Sequence, residues 1–158
     1  MIKFMKNGGK IMKKISDVVN KDVVVVEKGT TFDKIVALMK EKGIGKIPVV
    51  DNGRVIGVVT REDILVKQEK APLPPVVAFW EVMFALPNTK EFQQRLKKFA
   101  SFIAEDIMST HYLVAGLDDN LEDVVTEMQE NNYNYILVVD KGNLCGIVTK
   151  SDLIKKLY

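Results

Sequence analysis

Between residues 17 and 63 the apolar and polar positions run in two alternating rhythms, and the same succession returns later in the chain. Short apolar runs, "DVVVV" at 22–26 and "YLVA" at 112–115, predict strands. A helical period follows each: Phe32, Ile35, Val36 and Met39 fall at i, i+3, i+4 and i+7, as do Leu121, Val124, Val125 and Met128. Thr31 and Asn120 stand where N-caps belong. Next come "KIPVV" and "RVIGVV", joined by Asp51-Asn52-Gly53. Asn-Gly between apolar runs predicts a hairpin, because a type I′ turn needs positive φ at both central residues. Lys141-Gly142 takes that place in the second half. A last helix is expected after each Thr-x-x-Asp, at Thr60 to Asp63 and at Thr149 to Asp152. The predicted unit is β-α-β-β-α, with short helical lead-ins at 13–20 and 104–109.

The recurrence is a duplication. An offset of 89 residues aligns 17–63 with 106–152 without a gap. Fourteen positions are identical, from Asp17/Asp106 through Asp51/Asp140, Gly53/Gly142 and Gly57/Gly146 to Thr60/Thr149 and Asp63/Asp152. Several other pairs, such as Val18/Ile107, Val24/Leu113, Ile35/Val124 and Val58/Ile147, exchange one aliphatic residue for another. A single copy is a small sheet with helices on one face and buries little, so two copies are expected to pack around an approximate two-fold axis. The fold class that follows is α/β (α+β): two β-α-β-β-α repeats in pseudo-two-fold symmetry with a helical insertion between them.

Composition narrows the function. The chain has 158 residues, 47% apolar and 28% charged, with a formal net charge of +2, which points to no nucleic-acid partner. Cys145 is the one cysteine and His111 the one histidine, so no internal disulfide forms, as suits a cytoplasmic location. Metal clusters and nucleophile–base pairs also lack material. Cys145, between Leu144 and Gly146, reads as a small apolar strand residue. The longest apolar run, 71–87, is broken by proline and carries Glu81, so no membrane span is expected. Residues 1–12 show no period and read as an N-terminal extension, with Met12 the expected natural start.

Thr-x-x-Asp at a helix start is first of all a cap: the hydroxyl accepts an N–H of the first turn, and the acid favours the positive helix end. Ligand chemistry lies on top of that. A helix N-terminus suits phosphate oxygens, and a carboxylate accepts two hydrogen bonds from a vicinal diol. Gly57 and Gly146 would let a ligand approach the strand closely. Diol, phosphate and a flat base in an apolar slot together describe a nucleotide.

The element order, the "PVVD" and "LVVD" strands and the G-x-[VI]-T-x-x-D endings resemble a tandem pair of CBS domains, the family named after cystathionine β-synthase. Such a pair is often called a Bateman module. The resemblance covers 13–70 (domain 1) and 104–158 (domain 2), leaving 71–103 as a Pro-containing amphipathic linker. It implies a regulatory module without catalytic activity that needs no cofactor. Its regulatory ligand would be an adenine nucleotide (AMP, ADP or ATP) or S-adenosylmethionine. It implies two clefts. One takes Thr149, Asp152 and Ile147 with Val23, Val24, Lys46 and Pro48; the other takes Thr60, Asp63 and Val58 with Tyr112, Leu113, Tyr135 and Leu137. The first is preferred, since Lys46 occupies the phosphate position that Tyr135 fills in the second. The resemblance also implies a homodimer and output through the oligomer or a protein partner. The alternative is a structural or interaction module with vestigial clefts.

The middle segment carries its own pattern. Prolines end the helix before it, Asn88-x-x-Glu91 reads as a capping box, and Phe92, Leu96, Phe99 and Ile103 share a helical face opposite Lys90, Arg95, Lys97 and Lys98. That face is expected to cover the module's own core or to contribute to self-association.

Overall fold

A computed structural model describes residues 6–7, 10–68 and 102–157. A two-residue pair, β1 (Lys6–Asn7) and β2 (Lys10–Ile11), is antiparallel. The first repeat contains β3 (Val26–Glu27), α1 (Phe32–Lys42), β4 (Lys46–Asp51), β5 (Arg54–Thr60) and α2 (Arg61–Gln68). The second contains the short helix α3 (Ala104–Ile107), β6 (Leu113–Gly116), α4 (Leu121–Glu130), β7 (Tyr135–Asp140), β8 (Asn143–Thr149) and α5 (Lys150–Leu157). The lead-in of the first repeat is a 3₁₀ turn, Ile15–Asp17. The sheets run β3-β4-β5 and β6-β7-β8. The linker helix predicted within 71–103 lies outside the described residues except at its end. There Ile103 departs from the helix: it is extended (φ −113°, ψ 169°) and bridges Thr31.

Both hairpins form as the turn residues predict. Asn52 and Gly53 have φ of 51° and 79°, and Lys141 and Gly142 have 51° and 82°. Helix capping differs between the copies. The Asn120 side chain accepts from the N–H groups of Glu122 and Asp123 at 2.9 and 3.2 Å. Thr31 holds the N-cap position of α1 but its side chain makes no cap bond. Its hydroxyl instead bonds the Asp33 carboxyl, which this contact holds below the ordinary range. The aspartates conserved between the two lead-ins fold each turn back on itself. Asp17 Oδ2 accepts from the N–H groups of Lys13 and Lys14, and Asp106 Oδ2 from that of Ile103.

The strand predicted at 22–26 is a correction. Only Val26 and Glu27 pair with β4, opposite Val49 and Val50. In the second repeat β6 pairs over four residues, from Leu113 opposite Ile136 to Gly116 opposite Val139. The sequence supplies the reason. The residue of β7 opposite Val114 is Leu137, and the equivalent residue of β4 is Pro48, which has no N–H to give a ladder. The first ladder stops just short of it.

The described residues form two compact units, and each is built from both repeats. One unit gathers the residues up to Val24, 52–55 and 111–157; the other gathers 25–51, 56–68 and 102–110. Each lead-in belongs to the core of the other repeat. Ile15 and Val18 are buried with Ala115, Leu121, Val125, Met128, Ile136, Val138 and Leu153. Ala104 and Ile107 are buried with Phe32, Ile35, Met39, Ile47, Val59 and Ile64. Full burial of an Ile or Val side chain contributes roughly 1.5–3 kcal/mol, so the exchange is a substantial part of each core. Backbone bonds fix it. Asn20 and Ile147 exchange both N–H···O bonds at 3.0 Å, and Val58 and Ser109 do the same at 3.0 and 2.9 Å. Lys156 Nζ donates to the Val18 carbonyl at 2.6 Å. No helix among the described residues is long and apolar enough to cross a membrane.

Candidate functional site

β5 ends on Thr60 and β8 on Thr149; the first turns of α2 and α5 carry Asp63 and Asp152. At both places the two side chains lock together. Thr60 donates from its N–H and its hydroxyl to Asp63 Oδ2, each at 2.9 Å, and Thr60 Oγ1 accepts the Asp63 N–H at 3.1 Å. The second copy repeats this at 3.2, 2.7 and 3.1 Å between Thr149 and Asp152. The predicted cap is therefore present twice. All the donors fall on Oδ2, and among the described residues none reaches Oδ1 of either aspartate. The lock fixes each carboxylate's orientation and keeps one oxygen available as an acceptor.

The two copies differ in their surroundings. Thr60 is buried and Thr149 half-buried. Burial pushes the Asp63 carboxyl above the ordinary range; the bonds from Thr60 pull it back, and nearby Glu62 adds to the rise. The helix starts are also tied to the strand before them, Arg61 N–H to the Gly45 carbonyl and Lys150 N–H to that of Asn134, both at 3.0 Å. The Arg61 side chain lies along the bare Gly45, its Nε 3.0 Å from where a Cβ would stand.

The residues predicted for the clefts divide between the units. Val23, Val24, Ile147, Thr149 and Asp152 belong to one unit, together with Tyr112, Leu113, Tyr135 and Leu137. Lys46, Pro48, Val58, Thr60 and Asp63 belong to the other. Val58 and Leu137 are fully buried, Pro48, Tyr135 and Ile147 are buried, and Val23, Val24, Lys46, Tyr112 and Leu113 are half-buried. Tyr135 lies opposite Thr149 in the β7–β8 ladder. The Tyr112 hydroxyl reaches the Val55 carbonyl at 3.4 Å.

The glycines have a different role from close ligand approach. A Cβ on Gly146 would stand 2.8 Å from the Asn20 carbonyl oxygen and would overlap Val19 Cγ2. A Cβ on Gly57 would stand 2.7 Å from Met108 Cγ and overlap its sulfur. Both glycines make room for the exchanged lead-in, a requirement the sequence pattern signals only as an invariant between copies. The Cys145 Sγ donates to the Val138 carbonyl at 3.3 Å, and burial raises the thiol's pKa. Among the described residues no group of three or more His, Cys, Asp or Glu could hold a metal ion.

Comparison with known proteins agrees with this architecture. The CBS domain family matches at residues 15–70 and again at 104–158. An uncharacterized protein of Methanocaldococcus jannaschii is 30% identical over 94% of this chain and 93% of its own. The CBS domain of a CBS domain containing membrane protein from Sphaerobacter thermophilus superposes with a TM-score of 0.74 at 28% identity, covering 92% of this chain and 88% of that one. The structure of CBSX2 in complex with AMP has a TM-score of 0.67 at 24% identity, covering 91% and 95%. Other relatives are longer; the chain spans 58% of a chloroplastic CBS domain-containing protein of Arabidopsis thaliana and 32% of a second Methanocaldococcus jannaschii protein. With two copies of the β-α-β-β-α unit, a Thr–Asp lock closing each and the family matching both, the chain belongs to the CBS domain family.

Proposed function

We propose that the chain is a regulatory module that binds an adenosine-containing nucleotide and performs no catalysis itself. The observation that carries this reading is the doubled Thr–Asp lock, which holds a carboxylate oxygen ready for a ribose diol at a helix start suited to phosphate. The AMP bound to CBSX2 supports the choice of ligand class. AMP, ADP, ATP and S-adenosylmethionine share the adenosine that such a site would hold. Occupancy acts on output only through the ligand's different affinity for two arrangements of the module, of a homodimer or of a protein partner.

Isothermal titration with AMP and ATP tests the reading. Binding is expected, and Asp152→Ala is expected to weaken it more than Asp63→Ala. Silence toward AMP, ATP and S-adenosylmethionine would overturn it. A second reading, an interaction module with vestigial clefts, draws on the complete burial of Val58 and Leu137, which leaves their side chains no surface to offer a ligand.

A further inference from the structure

The lead-in at 13–20 and the Thr149–Asp152 lock belong to the same compact unit, and they share their supports. β8 is an edge of its sheet, and the lead-in covers that edge at one point, where Asn20 and Ile147 exchange both backbone bonds. Ile147 stands two residues before Thr149. Beyond the lock, α5 returns to the same segment. Leu153, the residue after Asp152, is buried with Ile15 and Val18, and Lys156 Nζ donates to the Val18 carbonyl at 2.6 Å. The lead-in therefore holds the lock-bearing stretch, 147–156, before the lock, just after it and at the far end of the helix.

This hold is local. Ile15 and Val18 are the buried side chains of the lead-in; Lys13, Lys14, Ser16 and Asn20 are exposed. Its first half is tied to the loop before α4, where the N–H groups of Ile15 and Ser16 donate to the Asp119 and Leu117 carbonyls at 3.1 and 2.9 Å. A segment held by two apolar side chains and a few backbone bonds opens at a lower free energy than the whole domain. Opening takes from Ile147 both of its bonds to Asn20 and uncovers Leu153, so the lock loses the supports that fix its carboxylate.

We propose that the lead-in regulates the Asp152 lock: a nucleotide bound there holds residues 15–20 down, and lifting those residues releases the nucleotide. This rests on the nucleotide-binding reading and adds the element whose docked and released forms the ligand tells apart. The coupling is reciprocal, so the ligand favours docking by the factor by which docking raises its affinity.

Amide hydrogen exchange of the whole chain tests this. AMP, ATP and S-adenosylmethionine are titrated calorimetrically, and the tightest binder is added at about a hundred times its Kd. A ligand that binds only the docked form slows exchange at Asn20 and Ile147 by up to about a hundredfold, and a slowing of at least about tenfold is expected. The N–H groups of Asn131 and Tyr133 bond the Glu127 and Met128 carbonyls at the other end of α4, and are expected to change less than about threefold. At the same ligand concentration Asp152→Ala is expected to remove most of the slowing. Lys156→Met leaves Thr149 and Asp152 in place and is expected to speed exchange at Asn20 about tenfold without ligand. Binding without slowing at Asn20 and Ile147 would overturn the proposal and leave the nucleotide reading standing. So would slowing that spreads evenly to Asn131 and Tyr133, slowing that survives in full in Asp152→Ala, or exchange at Asn20 that Lys156→Met leaves unchanged. Binding of none of the three ligands removes the proposal together with the reading beneath it.

Discussion

Replacing Gly146 by alanine tests the exchanged lead-in at its tightest point. The added Cβ would stand 2.8 Å from the Asn20 carbonyl oxygen and overlap Val19, and a backbone oxygen held by its own hydrogen bonds cannot swing aside. The chain has two ways to respond. It can strain β8, at the roughly 1–3 kcal/mol of a typical overpacking substitution. Or it can release the Asn20–Ile147 pair, at about 0.5–1.5 kcal/mol for each of the two hydrogen bonds. Either route predicts a loss of about 1–3 kcal/mol, a fall in Tm of roughly 2–12 °C for a chain of this size. Gly57→Ala meets only the Met108 side chain, which can change rotamer, so it is expected to cost about 1 kcal/mol less. Gly29→Ala has nothing within 4 Å of the new Cβ and should stay within about 0.5 kcal/mol of wild type. Urea unfolding followed by circular dichroism, with a shared m-value, measures all three. If Gly146→Ala is as stable as wild type, or Gly57→Ala is the worse of the two, the lead-in does not cross β8 as described.

The cap difference between α1 and α4 predicts that Asn120→Ala costs about 1 kcal/mol and Thr31→Ala less, since only Asn120 caps with its side chain; equal losses in urea unfolding would contradict this. Burial raises the Asp63 carboxyl, so its favourable contribution is full below the unfolded pKa and is lost as pH rises through the folded one. Relative to Asp63→Asn, wild type should therefore gain stability as pH falls from neutrality through the carboxylate range, and a difference that stays flat or moves the other way would refute it. Cys145, half-buried and donating to Val138, should react slowly with a thiol reagent in the native protein and quickly in urea. Equal rates would show an open thiol.

Much of this fold was legible in the residues. Asn52-Gly53 and Lys141-Gly142 name their turns because positive φ restricts the choice of residue, and the helical period alone places Met39 and Met128 in the core. The Thr–Asp locks follow from spacing alone. Four consecutive valines at 23–26 carry strong β-propensity and predict a strand, whereas the ladder's length depends on Pro48, about two dozen residues away in the partner strand. The lead-in exchange is invisible for a different reason. The two lead-ins are alike in residue type and so are the two cores, so no pattern along the chain tells Ile15 that it belongs with Leu121. The same holds for Gly57 and Gly146: the pattern shows that they recur between the copies, and not that Met108 and Val19 pack against them.

If a locked carboxylate accepts a ribose diol, titrations of the same wild-type protein with AMP and with 2′-deoxy-AMP differ by that contact. A hydrogen bond to a charged acceptor contributes about 1.5–3 kcal/mol, so 2′-deoxy-AMP should bind about ten- to a hundredfold more weakly than AMP. Equal affinity for the two, or none for AMP, would show that neither carboxylate holds the diol.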